Sequence, residues 1–87
     1  MRSNPLRNLL NRLIWDKRLS PESYEIVFRS RGAEGDMETI SASQIVKVYQ
    51  RGFEADIGGK RIYVPFHRII KVKNKFTGEE LYYSSRA

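Results

Sequence analysis

The chain has 87 residues, one histidine and no cysteine, and its sixteen Lys+Arg against ten Asp+Glu give a formal net charge of +6. That length carries one domain, 1–87; the missing cysteine excludes disulfides, thiolate catalysis and cysteine-based zinc sites, and fits a cytoplasmic setting. A single histidine and no calcium-type acidic loop leave no metal or other cofactor expected, no apolar run nears the roughly 18 residues of a bilayer span, and the positive balance favours a polyanionic partner.

Leu6, Leu9, Leu10 and Leu13 recur at helical spacing with Arg7, Asn8, Asn11 and Arg12 on the other side, which predicts an amphipathic helix. Pro5 suits its first position after a Ser3 or Asn4 cap, and the helix should end near Trp15 or Asp16. The first fourteen residues are acid-free with Arg2, Arg7 and Arg12, a faint presequence pattern, but they run into the domain without a linker and read as structure. A helix lying on a membrane is the alternative, and the narrow apolar face argues for burial on a following sheet.

Tyr24, Ile26 and Phe28 alternate with polar neighbours as a half-buried strand does. Residues 32–36 are a glycine-containing turn, and 37–40 begin the returning strand. Further strand segments are 45–49, 52–56, 61–64, 69–73 and 80–83, with Gly58-Gly59 and Thr77-Gly78 as hairpin connections.

Residues 40–48 align without gaps on 64–72: each copy has an aliphatic residue, four linker residues, then aliphatic, aliphatic, Lys, Val. This pattern predicts a strand end, a tight bend and a new strand, made twice. Pro65 presets the first position of one bend, while Ser41 and Gln44 can close the other by a capping-type side-chain bond. The expected architecture is α+β: an N-terminal amphipathic helix on a curved antiparallel sheet or small open barrel of about five or six short strands.

If the bends are equivalent, His67 takes the place of Ser43 and Arg68 that of Gln44, so one bend is neutral and the other cationic. An imidazole N–H and a guanidinium fork suit a phosphate; the competing reading is that His67 packs its ring and locks the turn. Arg29, Arg31, Arg51 and Lys60-Arg61 also lie near strand ends, among Tyr24, Tyr49, Phe53 and Tyr63. Cations interleaved with aromatics are what binders of single-stranded nucleic acid use for phosphate contact and base stacking, although strand tyrosines also serve as cross-strand packing. No triad and no glycine-rich phosphate loop are present, so catalysis is not expected; a small ribonuclease built on His67 is the enzymatic alternative.

These residues resemble the RNA cyclic-group-end-recognition domain family. The resemblance spans nearly the whole chain and rests on Trp15-Asp16, the Tyr24 strand ending in Arg31-Gly32, Gly35-Asp36 leading to Ile40 and Ile45, Arg51-Gly52-Phe53, and above all Pro65-Phe66-His67-Arg68-Ile69. Members of that family stand alone in archaea or are joined to RNA-processing and phosphoesterase-type domains in larger eukaryotic proteins, and the resemblance implies a role in recognising RNA ends that carry a 2′,3′-cyclic phosphate. Where the family usually has proline and an acidic residue in the first bend, this chain has Ser41 and Gln44.

The expected function is therefore non-catalytic binding of RNA, single-stranded or at a processed 3′ end, with RNA-processing enzymes as further partners and no membrane partner. His67, Arg68, Arg51 and Arg31 are the expected phosphate ligands, and Tyr63 or Tyr24 the base-stacking rings. The alternative is a structural subunit of a ribonucleoprotein complex.

Overall fold

The computed structural model describes residues 5–32 and 34–84. Helix α1 (Pro5–Trp15) buries Leu6, Leu10 and Leu13, the stripe that the leucine spacing predicts. The expected caps Ser3 and Asn4 lie outside the described residues. Asp16 closes the helix: its N–H donates to the Arg12 carbonyl at 2.9 Å, and its carboxylate accepts from the Arg18 backbone at 3.0 Å and from Nη2 at 3.1 Å. That bonding holds the Asp16 carboxyl below the ordinary carboxylate range.

Seven strands follow: β1 (Tyr24–Arg29), β2 (Met37–Ser41), β3 (Ile45–Val48), β4 (Gly52–Ile57), β5 (Lys60–Pro65), β6 (Ile69–Asn74) and β7 (Glu80–Tyr83). They form two antiparallel sheets, ordered β2-β1-β6-β7 and β3-β4-β5. The α+β class holds, but the single curved sheet or barrel of five or six strands is replaced by two open sheets and seven strands. The reason lies in the two bends. Each is one turn of 3₁₀ helix, Ala42–Gln44 (the first corner) and Phe66–Arg68 (the second), and each breaks the ladder and passes the chain from one sheet to the other.

The repeat in the sequence is a repeat in space. Ser41 (φ −80, ψ 146) and Pro65 (φ −64, ψ 145) enter the corners, and Ile45 (φ −71, ψ 125) and Ile69 (φ −71, ψ 126) leave them. Ile40 and Val64, Ala42 and Phe66, and Ile45 and Ile69 are buried in matching positions. Even the irregularity recurs. Ile45 pairs with Ala55 and Lys47 with Glu54, which leaves Val46 as a bulge; Ile69 pairs with Phe28 and Lys71 with Val27, which leaves Ile70 as the same bulge. Without it, side-chain alternation would put Ile69 and Val72 on opposite faces, yet both are fully buried.

The molecule is thus two hairpin-corner-strand units, β1-β2-β3 and β4-β5-β6, that exchange their third strands: β6 completes the β1–β2 hairpin and β3 completes β4–β5. The core lies between the sheets, where Phe28 and Phe53 meet edge to face at 6.4 Å. Three features fall outside this duplicated frame: α1, β7, and the 30–36 connection of β1 to β2, far longer than the Gly58-Gly59 turn joining β4 to β5. The latter two glycines have φ of 63 and 86, the positive values that a two-residue hairpin of this type requires.

Candidate nucleic-acid interface

The two corners share a backbone but not their surroundings. In the first, Ser41 N–H donates to Gln44 Oε1 at 2.8 Å and Ser43 N–H donates to Ser41 Oγ at 3.1 Å, the capping bonds expected from Ser41 and Gln44. Gln44 Nε2 also donates to the Asp56 carbonyl at 3.3 Å, so its side chain is used up holding the bend. Helix α1 and the 3₁₀ turn Pro21–Ser23 pack on this corner.

At the second corner the entering residue is Pro65, which has no N–H to cap. Position 68 is thereby released from that duty, and it holds an arginine. His67 and Arg68 are both exposed, and neither side chain has a hydrogen-bond or ion-pair partner among the described residues. The Phe66 amide donates to the Arg51 carbonyl at 2.9 Å, which ties the start of β4 to this corner and places Arg51 on the same rim.

Ion pairing separates the cations into two groups. Arg12 and Arg18 face Asp16, Arg61 faces Glu54 and Asp56, Lys71 faces Glu80 and Lys73 faces Glu25. Arg29, Arg31, Arg51 and Arg68 have no such partner among the described residues, nor have Arg7, Lys17, Lys47, Lys60 and Lys75. The first four of these are exposed at one end of the molecule: Arg51 precedes β4, Arg68 precedes β6, Arg29 closes β1 beside the start of β6, and Arg31 lies in the loop beyond. Fixed positive charge without a carboxylate nearby is what attracts a phosphate chain.

Tyr63 stands on the outer face of β5, 52% exposed, and its ring lies across Gly52. Tyr49 meets it edge to face at 6.0 Å, and Lys47 Nζ stands 5.2 Å from the Tyr49 ring. The Tyr49 hydroxyl donates to Glu54 Oε1 at 3.1 Å; this bond, then partial burial and the Glu54 charge, raise the phenol above its ordinary range. The pair therefore presents partly fixed aromatic surface next to Arg51.

Of the residues singled out from sequence, His67, Arg68, Arg51 and Tyr63 come together. Arg31 shares their end of the molecule without a contact that fixes it to the corner. Tyr24 does not join them: it pairs with Asn74 at the opposite end of its sheet, half-buried against the core. In the duplicated frame it occupies the place of Arg51, since Glu25 pairs with Ser41 as Gly52 pairs with Pro65. Arg61 is turned to Glu54 and Asp56 far along the β4–β5 hairpin, and Phe53 is wholly buried. Tyr49 and Arg29 become prominent only in space, although both stood among the interleaved aromatics and strand-end cations. Among the described residues no three carboxylate or histidine side chains gather where they could hold a metal ion, and no helix is long and apolar enough to cross a membrane.

Comparison with known proteins agrees with the resemblance carried by the Pro65 to Ile69 segment. Residues 1–84 match the family model described as the MJ1316 RNA cyclic group end recognition domain. A UPF0248 protein of Methanococcus vannielii is 36% identical over 77 residues, covering 88% of each chain. The UPF0248 protein MJ1316 of Methanocaldococcus jannaschii is 32% identical over 82 residues, covering 88% of this chain and 90% of its own. A UPF0248 protein of Pyrobaculum calidifontis is 37% identical over 76 residues, covering 87% and 92%. No solved structure gives a significant match to the chain. With almost its full length matched and relatives above 30% identity spanning both chains, the protein belongs to the MJ1316 RNA cyclic group end recognition domain family.

Proposed function

We propose that the domain binds RNA without cleaving it and holds the phosphate of a processed 3′ end, one closed as a 2′,3′-cyclic phosphate, at the second corner. One observation carries this reading: the fold makes the same corner twice, and the copy left open bears His67, Arg68 and Arg51 with no carboxylate to neutralise them. Packing does not demand those side chains, because the first corner makes the same bend with Ser43 and Gln44. The name of the matching family supports the choice of ligand.

Arg68 and Arg51 supply charge-assisted N–H donors to phosphate oxygens, and His67 adds a ring N–H. Arg31 lies where it can neutralise a phosphate farther along the strand. Tyr63, backed by Tyr49, offers a face for a base of the approaching strand. A cyclic phosphate bears one negative charge, so a few strong contacts suffice at the end itself. General acid–base work would need a group orienting the imidazole, and His67 has none among the described residues.

The test uses matched oligoribonucleotides ending in 2′,3′-cyclic phosphate, 3′-phosphate and 3′-hydroxyl, with binding read by fluorescence anisotropy. An end reader prefers the cyclic form. Equal affinity for all three replaces this reading with that of a structural ribonucleoprotein subunit, and cleavage that disappears in His67→Ala replaces it with a ribonuclease.

A further inference from the structure

Beside the second corner, on the outer face of the four-stranded sheet, lies a cleft of about 320 Å³. It is lined by Met37 of β2, Arg29 of β1, the bulged Ile70 of β6 and Tyr83 of β7, together with Asp36 and Ser84. Its volume falls at the lower end of what small-ligand sites have.

Three features single it out. The first is that the cleft owes its walls to the parts that break the internal duplication. The long 30–36 connection supplies Asp36, and β7, which has no counterpart beside β3, supplies Tyr83 and Ser84. The equivalent bulge residue Val46 has no strand beside it on that edge and stands 43% exposed. Ile70 instead has its carbonyl taken by the Ser84 amide at 2.7 Å.

The second is that large apolar side chains line the cleft yet remain open to solvent, Met37 at 51% and Tyr83 at 61%. A thioether and a phenol ring are suited to covering a flat heterocycle. The third is its junction with the corner. Gln44 reaches the carbonyl of Asp56, and in the duplicated frame Arg68 stands for Gln44 and Arg29 for Asp56. Arg68 therefore stands next to Arg29, which lines the cleft and has no ion-pair partner among the described residues.

We propose that this cleft takes the terminal nucleoside of the RNA, its base against Tyr83 and Met37, while Arg29 and Arg68 together hold the cyclic phosphate at the cleft mouth; this rests on the reading of the second corner as the phosphate site. The Asp36 carboxylate gives the cleft an acceptor as well as a cation, which suits a base edge carrying N–H donors.

The experiment titrates the ¹⁵N-labelled full chain with adenosine and cytidine 2′,3′-cyclic monophosphate and with inorganic phosphate. Amide shifts at Met37, Ile70 and Tyr83 should accompany those at Arg29, His67 and Arg68 with the nucleotides, whereas inorganic phosphate should move the arginines and His67 and leave Met37, Ile70 and Tyr83 in place. Tyr83→Ala and Met37→Ala, both on exposed positions, should each weaken nucleotide binding about tenfold and leave the cross-peaks of the core amides in place. Nucleotide shifts confined to Arg51, His67 and Arg68, with Tyr83→Ala and Met37→Ala binding as wild type, overturn the cleft and leave the corner standing. Shifts at neither place, with Arg68→Ala also without effect on a cyclic-ended oligonucleotide, overturn both.

Discussion

The carbonyl of Arg51 accepts the amide of Phe66 at 2.9 Å, so the strand that begins after Arg51 and the corner that carries His67 and Arg68 are joined through the backbone. Arg51, His67 and Arg68 therefore flank one corner of the backbone, and each is exposed. Arg51→Ala, His67→Ala and Arg68→Ala should each lower affinity for cyclic-ended RNA roughly tenfold, about 1.4 kcal/mol. Melting temperatures should stay within about 3 °C of wild type, because exposed substitutions rarely cost more than ~0.5 kcal/mol. Anisotropy and thermal melts check this together. A large loss of stability in His67→Ala would return that residue to the role of packing the bend.

Phosphate contacts release counterions. With three or four phosphates neutralised by the uncompensated arginines, log affinity for single-stranded RNA should fall against log salt with a slope of roughly −2 to −3. A flat response would remove the electrostatic basis of the RNA reading, and Arg51→Ala should reduce the slope by somewhat less than one.

The second corner can be rewritten as the first. Pro65→Ser with Arg68→Gln installs the residues that cap Ala42–Gln44, at backbone angles that Ser41 already adopts. The double variant should fold with stability within about 1 kcal/mol of wild type, the scale of one cap, and lose the preference for a cyclic end. Denaturant titration and the oligonucleotide series measure the two halves of that expectation separately.

Gly52 has no room for a side chain. A Cβ there would stand 2.5 Å from the Tyr63 ring tip and 2.6 Å from the Val64 carbonyl oxygen, and the latter is backbone that cannot swing aside. Gly52→Ala should destabilise by about 1–3 kcal/mol, the range for overpacking. In Gly52→Ala with Tyr63→Ala the ring clash goes and the carbonyl clash stays, so calorimetry should find only partial recovery.

Tyr49 keeps its proton more tightly in the fold than in the unfolded chain, through its bond to Glu54. The sign follows: this contribution is complete below the unfolded value near ~10 and is lost as pH rises through the higher folded value. Glu54→Ala should bring the Tyr49 titration down towards ~10, read from its ring ¹³C shift. An unchanged titration would mean that the hydrogen bond is not formed in solution.

Much of this architecture can be read from the residues alone. Pro5 and Trp15 bound the helix, and each segment with strand alternation is a strand. The split into two sheets is not legible, because alternation reports which face is buried and not which neighbour pairs. A signal for the bulges was present all the same: Ile69 and Val72 are three apart, a spacing that a regular strand cannot bury on one face. The second corner was legible because its residues, Pro65 to Ile69, are contiguous. The cleft was not, since Arg29, Met37, Ile70 and Tyr83 come from four strands.

The exchanged third strands bear on how the protein is made. The β1–β2 hairpin emerges from the ribosome early but must wait for β6, and the loop to be closed between them runs from Ser41 to Ile69 through all of β3, β4 and β5. Until β6 docks, Phe66 has no completed core to enter, and Arg68 and Arg29 have no shared mouth. The second corner is therefore complete only once β1 has paired with β6, and under the proposed function the RNA site forms with that long-range pairing.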